Sequence, residues 1–130
     1  MYTAAVCVGV LGLLVVLLGL GVSLTRVSTE TSVGFNPDPT DRLYKLCRAH
    51  GNAAEYNPML AVMILFLGSQ QPAAWVLWSC IGVTVARVLH AAGMIASPTL
   101  AKPQPLRFVG AIGTYVFGLV LGIATIVYAG

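Results

Sequence analysis

Three long stretches without a charged residue, at about positions 2–25, 57–86 and 108–130, set the strongest limit on what this chain can fold into. A bilayer hydrocarbon core about 30 Å thick takes roughly 20 apolar residues per helix. The middle stretch is interrupted by "GSQQP" at residues 68–72 and divides between two helices, so four spans fit. Composition agrees: 58% of the 130 residues are hydrophobic and 8% charged, with a mean hydropathy of +0.88, outside the balance of soluble domains. The expected fold is an all-α membrane protein, a single domain over residues 1–130 built as a bundle of four transmembrane helices.

Local signals place the helices at roughly 3–25, 41–68, 72–96 and 106–129. The first has no basic leader, is too long for a signal-peptide core and lacks a clear cleavage site, so it reads as a permanent helix. "VSTETSVGFNPDPTD" after Arg26 marks a loop, and Thr40 or Asp41 can cap the second helix. That helix is longer than a bilayer needs, which puts its first two turns in the interface. Pro58 lies inside it and predicts a kink or local loosening near Ala54. Trp75 and Trp78 are placed to anchor the third helix at the interface.

The cysteines Cys7, Cys47 and Cys80 are odd in number and two lie in apolar spans, so they read as packing residues without a disulfide framework. The net charge of +3 comes from dispersed basic residues with no interleaved aromatics, which excludes a nucleic-acid surface. Six of the seven Lys and Arg residues (Arg26, Arg42, Lys45, Arg48, Lys102 and Arg107) flank or lie in the first and third loops. The positive-inside rule then puts both termini outside and both long loops in the cytoplasm. On the fourth helix Gly110, Thr114, Gly118 and Gly122 form a small-residue ridge, open to either packing within the bundle or an oligomer contact. Tyr115 and Tyr128 read as packing or interface residues.

The polar residues inside the spans carry the functional question. "RAHGNAAEYNP" (48–58) places Arg48, Asn52 and Glu55 at i, i+4 and i+7 with Tyr56 beside them, one face of the second helix. Arg87, His90 and Met94 share a face of the third. Ionisable groups in a span cost about 2.5–3.5 kcal/mol each on insertion scales, so something must compensate them. Two readings stay open. In one, Arg48 or Arg87 pairs with Glu55 while Asn52 and His90 bond neighbouring helices and fix register. In the other, the residues form a pocket at the cytoplasmic boundary for a small zwitterion or anion, with arginines gripping carboxylates and Glu55 accepting from an ammonium group. Met59, Leu60 and Met63 would then admit a lipid-soluble second substrate. His50 and His90, one to a helix with no ligand-spaced cysteine or carboxylate, make no metal site.

"RAHGNAAEYNP" after "DRLYKLC", with "ARVLHAAG" in the third span, resembles the membrane-associated proteins in eicosanoid and glutathione metabolism, the MAPEG superfamily. Its members include microsomal glutathione transferases, leukotriene-C synthase, a prostaglandin-E synthase and the five-lipoxygenase-activating protein, and "ARxLHAxG" looks most like a short bacterial branch, implying a bacterial inner membrane. The resemblance implies a homotrimer with glutathione, a co-substrate, held between subunits near the cytoplasmic face. Arg48, Asn52, Glu55 and Tyr56 match glutathione-binding positions, His50 lies where another polar contact is made, and Arg26 matches an arginine at the end of the first helix. His90 and Met94 stand where the eicosanoid enzymes have tyrosines, which argues against the eicosanoid reactions themselves.

Glutathione carries two carboxylates and an ammonium, matching several arginines and one glutamate. Its thiol, with an ordinary pKa of about 8.5, needs a nearby cation to form the thiolate. Arg107, nearest after the third helix, is the candidate by resemblance, with Arg87 and Arg26 as rivals. The resulting expectation is a glutathione-dependent transferase or peroxidase for hydrophobic electrophiles or lipid hydroperoxides. A non-catalytic lipid-binding or partner-presenting protein of the same family is the alternative, and a small transporter a weaker third, since the polar groups cluster at one end.

Overall fold

The computed structural model describes residues 1–130 and contains four helices, α1 (Tyr2–Ser28), α2 (Arg42–Ser69), α3 (Ala74–Ala96) and α4 (Pro105–Ala129). At 1.5 Å per residue each exceeds the hydrocarbon thickness. By length and composition together, α1, α3 and α4 qualify as spans. The sequence led to four; α2 falls short because its first half carries Arg42, Lys45, Arg48 and Glu55, followed by Asn57 and Pro58, so that its apolar run starts only at Met59.

The ends follow local chemistry. α1 runs on through Arg26, whose cation suits the negative C-terminal end of the helix. Of the two candidate caps for α2, Asp41 is used: its carboxylate accepts from the Tyr44 N–H at 2.8 Å. Thr40 instead donates its N–H and hydroxyl to Asp38, which holds that carboxyl below its ordinary range. α2 continues through Pro58 as an unbroken helix. α3 starts two residues later than the turn signal suggested, and the Ala73 N–H there donates to the Tyr128 hydroxyl at 3.1 Å, tying the end of α4 to the start of α3. α4 opens with Pro105 in its first turn and with the Gln104 side-chain oxygen accepting from the Arg107 N–H at 2.7 Å.

α1 packs on α2, and α3 on α4; α2 and α3 join the two pairs, while α1 and α4 do not meet. The apolar core is in two pieces. One holds Leu11, Leu60, Ile64, Val83 and Leu121 among others, the second Leu18, Ala49, Ala53, Ala91 and Met94. Leu11 and Leu18 on α1, Leu60 and Ala53 on α2, and Val83 and Ala91 on α3 bracket one level of the bundle. At that level sit Asn57 and Arg87, both buried. The outer faces of α1 and α4 expose Leu13, Val16, Leu17, Leu119, Ile123 and Ile126, as lipid-facing surfaces do. Cys7, Cys47 and Cys80 are free thiols.

Candidate functional site

Arg87 is the largest side chain in the interior, 2% exposed. Its position follows from α3, where it shares the core-facing stripe with Val83 and Ala91. Nε donates to Asn57 Oδ1 at 3.1 Å, and Nη2 donates to both the carbonyl and Oδ1 of Asn52 at 3.1 and 2.7 Å. Asn57 Nδ2 in turn donates to the Leu11 carbonyl of α1 at 3.0 Å. The guanidinium carbon lies 5.0 Å from the centre of the Tyr56 ring, within cation–π range. Nη1 makes none of these bonds. Since no fully covered side-chain polar atom lacks a partner, Nη1 reaches open space.

Arg87 lines a small cavity of about 20 Å³ together with Asn52, Tyr56, His90, Ala111, Thr114 and Tyr115. Through Tyr56, Thr114 and Tyr115 it borders an apolar groove of about 510 Å³ between α2 and α4, running from Glu55 past Met59, Met63 and Gly118 to Ile126. Through His90 and Ala111 it borders a more polar cleft of about 330 Å³ that holds Gln104 and Arg107. The Tyr56 and Tyr115 hydroxyls lie 3.5 Å apart at the groove mouth. His90 Nδ1 is 2.9 Å from the Arg107 carbonyl; a carbonyl only accepts, so Nδ1 is the donor in this bond.

The structure thus brings together Asn52, Tyr56, Arg87 and His90, with Glu55 on the groove side and Arg107 beyond His90. The expected pairing of an arginine with Glu55 is not what Arg87 does: its bonds go to neutral amide oxygens. Arg48 and Glu55 are both exposed, because the apolar stripe of α2, Ala53, Leu60 and Ile64, lies more than a quarter-turn from their column. Asn52, at the column's inner edge, turns inward, and it and His90 do link neighbouring helices.

Met94 is buried with Leu18 and Ala53, about 10 Å along the axis from Arg87, in the next layer. His50 faces α1, where its ring meets Gly19. Arg26 donates to the Thr31 carbonyl at 3.4 Å and approaches Cys47 Sγ at 4.0 Å. Arg26, Arg48, His50 and Met94 therefore stand apart from the Arg87 cavity within one subunit. Both terminal nitrogens of Arg107 are engaged by its own loop, Nη1 with the Leu100 carbonyl at 3.2 Å and Nη2 with that of Lys102 at 2.9 Å.

Asn57 and Tyr115 were not singled out by the sequence as site residues. Asn57 left a trace: it falls four residues after Ala53 and three before Leu60, a polar group on the apolar stripe of α2. Tyr115 left none, since an aromatic on a lipid-facing helix is ordinary.

A helical bundle with three helices apolar enough to cross a membrane, and one buried arginine between a polar cleft and an apolar groove, defines an integral membrane protein. The model of the MAPEG family matches residues 4–127. The chain belongs to that family, membrane proteins associated with glutathione and eicosanoid metabolism. Neither a curated protein nor a solved structure matches it.

Proposed function

We propose that the protein is a glutathione-dependent transferase or peroxidase that acts on hydrophobic electrophiles or lipid hydroperoxides. The observation that carries this reading is the adjacency of three cavities that share lining residues, with Arg87 lining the small one between the groove and the cleft. Glutathione enters the polar cleft, where Gln104 and Arg107 face its polar groups, and its sulfur occupies the small cavity. The electrophile lies along the groove. In conjugation the thiolate attacks the electrophilic carbon, an S–C bond forms, and the leaving group departs with its electron pair. With a hydroperoxide the thiolate attacks the terminal oxygen and the O–O bond breaks. The alkoxide takes a proton from the Tyr56–Tyr115 hydroxyl pair, and the sulfenic acid condenses with a second glutathione to give disulfide and water.

The cation beside the sulfur is Arg87 in this reading. Arg107, expected from the sequence, is held by two carbonyls and suits a carboxylate of glutathione better than its thiol. In the homotrimer that the family suggests, Arg26, Arg48 and His50 act from a neighbouring copy, closing the cleft between subunits. The distribution of Lys and Arg supports an orientation with both termini outside and the first and third loops in the cytoplasm, and the likeness of "ARVLHAAG" to a short bacterial branch supports a bacterial inner membrane.

Detergent-purified protein is expected to conjugate glutathione with 1-chloro-2,4-dinitrobenzene or reduce a fatty-acid hydroperoxide, with turnover lost in Arg87→Ala. Lipid retention without any glutathione binding at millimolar concentration contradicts the reading and favours the non-catalytic alternative, for which the open groove between α2 and α4 is the supporting observation.

A further inference from the structure

Asn57 is the one polar side chain that joins three helices. Its Oδ1 takes Arg87 Nε, and its Nδ2 is fixed on the Leu11 carbonyl of α1, so the amide has only one orientation that satisfies both ends. Nε and Nη2 form the edge of a guanidinium that ordinarily grips a carboxylate with two parallel bonds. Here that edge is filled by Asn57 and Asn52. Both acceptors are neutral, so the positive charge of Arg87 stays uncompensated; Nη1 alone is left without a hydrogen bond, and the residue lines a cavity of about 20 Å³.

We propose that Asn57 is a positioning residue: it fixes Arg87 so that a full cationic charge is presented through Nη1 to a one-atom anion, a thiolate sulfur, while the carboxylate-gripping edge is blocked. This rests on the glutathione reading of the site. Asn57 touches no ligand and acts through Arg87. The other titratable groups facing the cavity are Tyr56 from α2, His90 from α3 and Tyr115 from α4. Arg107 lies beyond His90 and Glu55 on the groove side; α1 contributes only the Leu11 carbonyl.

Asn57→Asp keeps the size of the side chain and the acceptor for Nε, but puts a counter-charge against Arg87. With glutathione at saturation, the thiolate absorbance near 240 nm is followed from pH 5 to 9 in the wild type and in this variant, beside thermal melting of each. The expected result is a thiol titration moved up by about one pH unit, leaving roughly tenfold less thiolate at neutral pH. A variant that melts lower but titrates like the wild type shows a packing role only and overturns the inference while leaving the glutathione reading intact. A wild type that binds no glutathione by calorimetry overturns both. Should Asn57→Asp not fold, Asn57→Ser, which adds no charge and releases Nε, carries the same test: an unchanged titration again overturns the proposal, and a raised one supports it.

Discussion

The two halves of α4 use the same kind of residue to opposite ends. In the first half a Cβ added to Gly110 would collide with the His90 backbone nitrogen and come within 2.7 Å of the Ala86 carbonyl oxygen, and one on Gly113 would sit 2.9 Å from Ala86 Cβ. Gly93 of α3 answers from the other side, with no room for a methyl beside the Arg107 nitrogen. In the second half Gly118 has only Leu60 Cδ2 at 3.8 Å, and Gly122 has nothing within 4 Å. Small residues four apart permit close approach; they do not supply the neighbour. Where the α3 backbone faces them the helices close, and His90 is held on the Arg107 carbonyl. Where α2 faces them with side chains, a groove opens.

The largest expected effect comes at the junction of the two halves. Arg87→Ala should lower glutathione turnover by about a hundredfold or more, the scale of losing one preorganised charge-stabilising donor, and the initial rate with an excess of electrophile checks it. Next is the closed half. Gly110→Ala should cost about 3 kcal/mol, at the upper end of ordinary overpacking because the collision is with backbone, read as a lower melting temperature in detergent. A variant as stable as the wild type would break the contrast between the halves.

Arg107→Ala frees the Leu100 and Lys102 carbonyls of the loop before α4. It should weaken glutathione binding by roughly tenfold, the scale of one charge-assisted contact, while thiolate still forms at saturation; calorimetry and absorbance separate the two. In the open half Gly122→Leu should raise KM for a long-chain hydroperoxide several-fold and leave that for 1-chloro-2,4-dinitrobenzene unchanged. The smallest effect is Gly122→Ala, expected to change stability by no more than about 1 kcal/mol, the helix-propensity difference.

Much of the fold was legible because it depends on runs: uncharged stretches, caps and turn residues mark four helices, and Asp41 was one of two named caps. The candidate site was legible in part. Asn52, Tyr56, Arg87 and His90 share a level because regular helices keep their phase. What a single helix cannot reveal is where its neighbours stand. Arg48 and Glu55 formed a column with Asn52, but the packed face of α2 is centred on Ala53, Leu60 and Ile64, so only the inner member of the column reached Arg87. Met94 kept the face of Arg87 but lies two turns away, in an apolar layer. Asn57 required the converse inference, from a polar residue on an apolar stripe to a buried partner. Arg107 was the candidate by resemblance, and its engagement by the Leu100 and Lys102 carbonyls depends on the fold of the loop before α4, which the sequence does not display.

The central claim is that the cation at the junction is Arg87. The most direct test is thiolate absorbance near 240 nm at neutral pH, with saturating glutathione, in wild type, Arg87→Ala and Arg107→Ala. The account predicts a thiolate signal in the wild type and in Arg107→Ala and none in Arg87→Ala. A signal that survives in Arg87→Ala and vanishes in Arg107→Ala would contradict it.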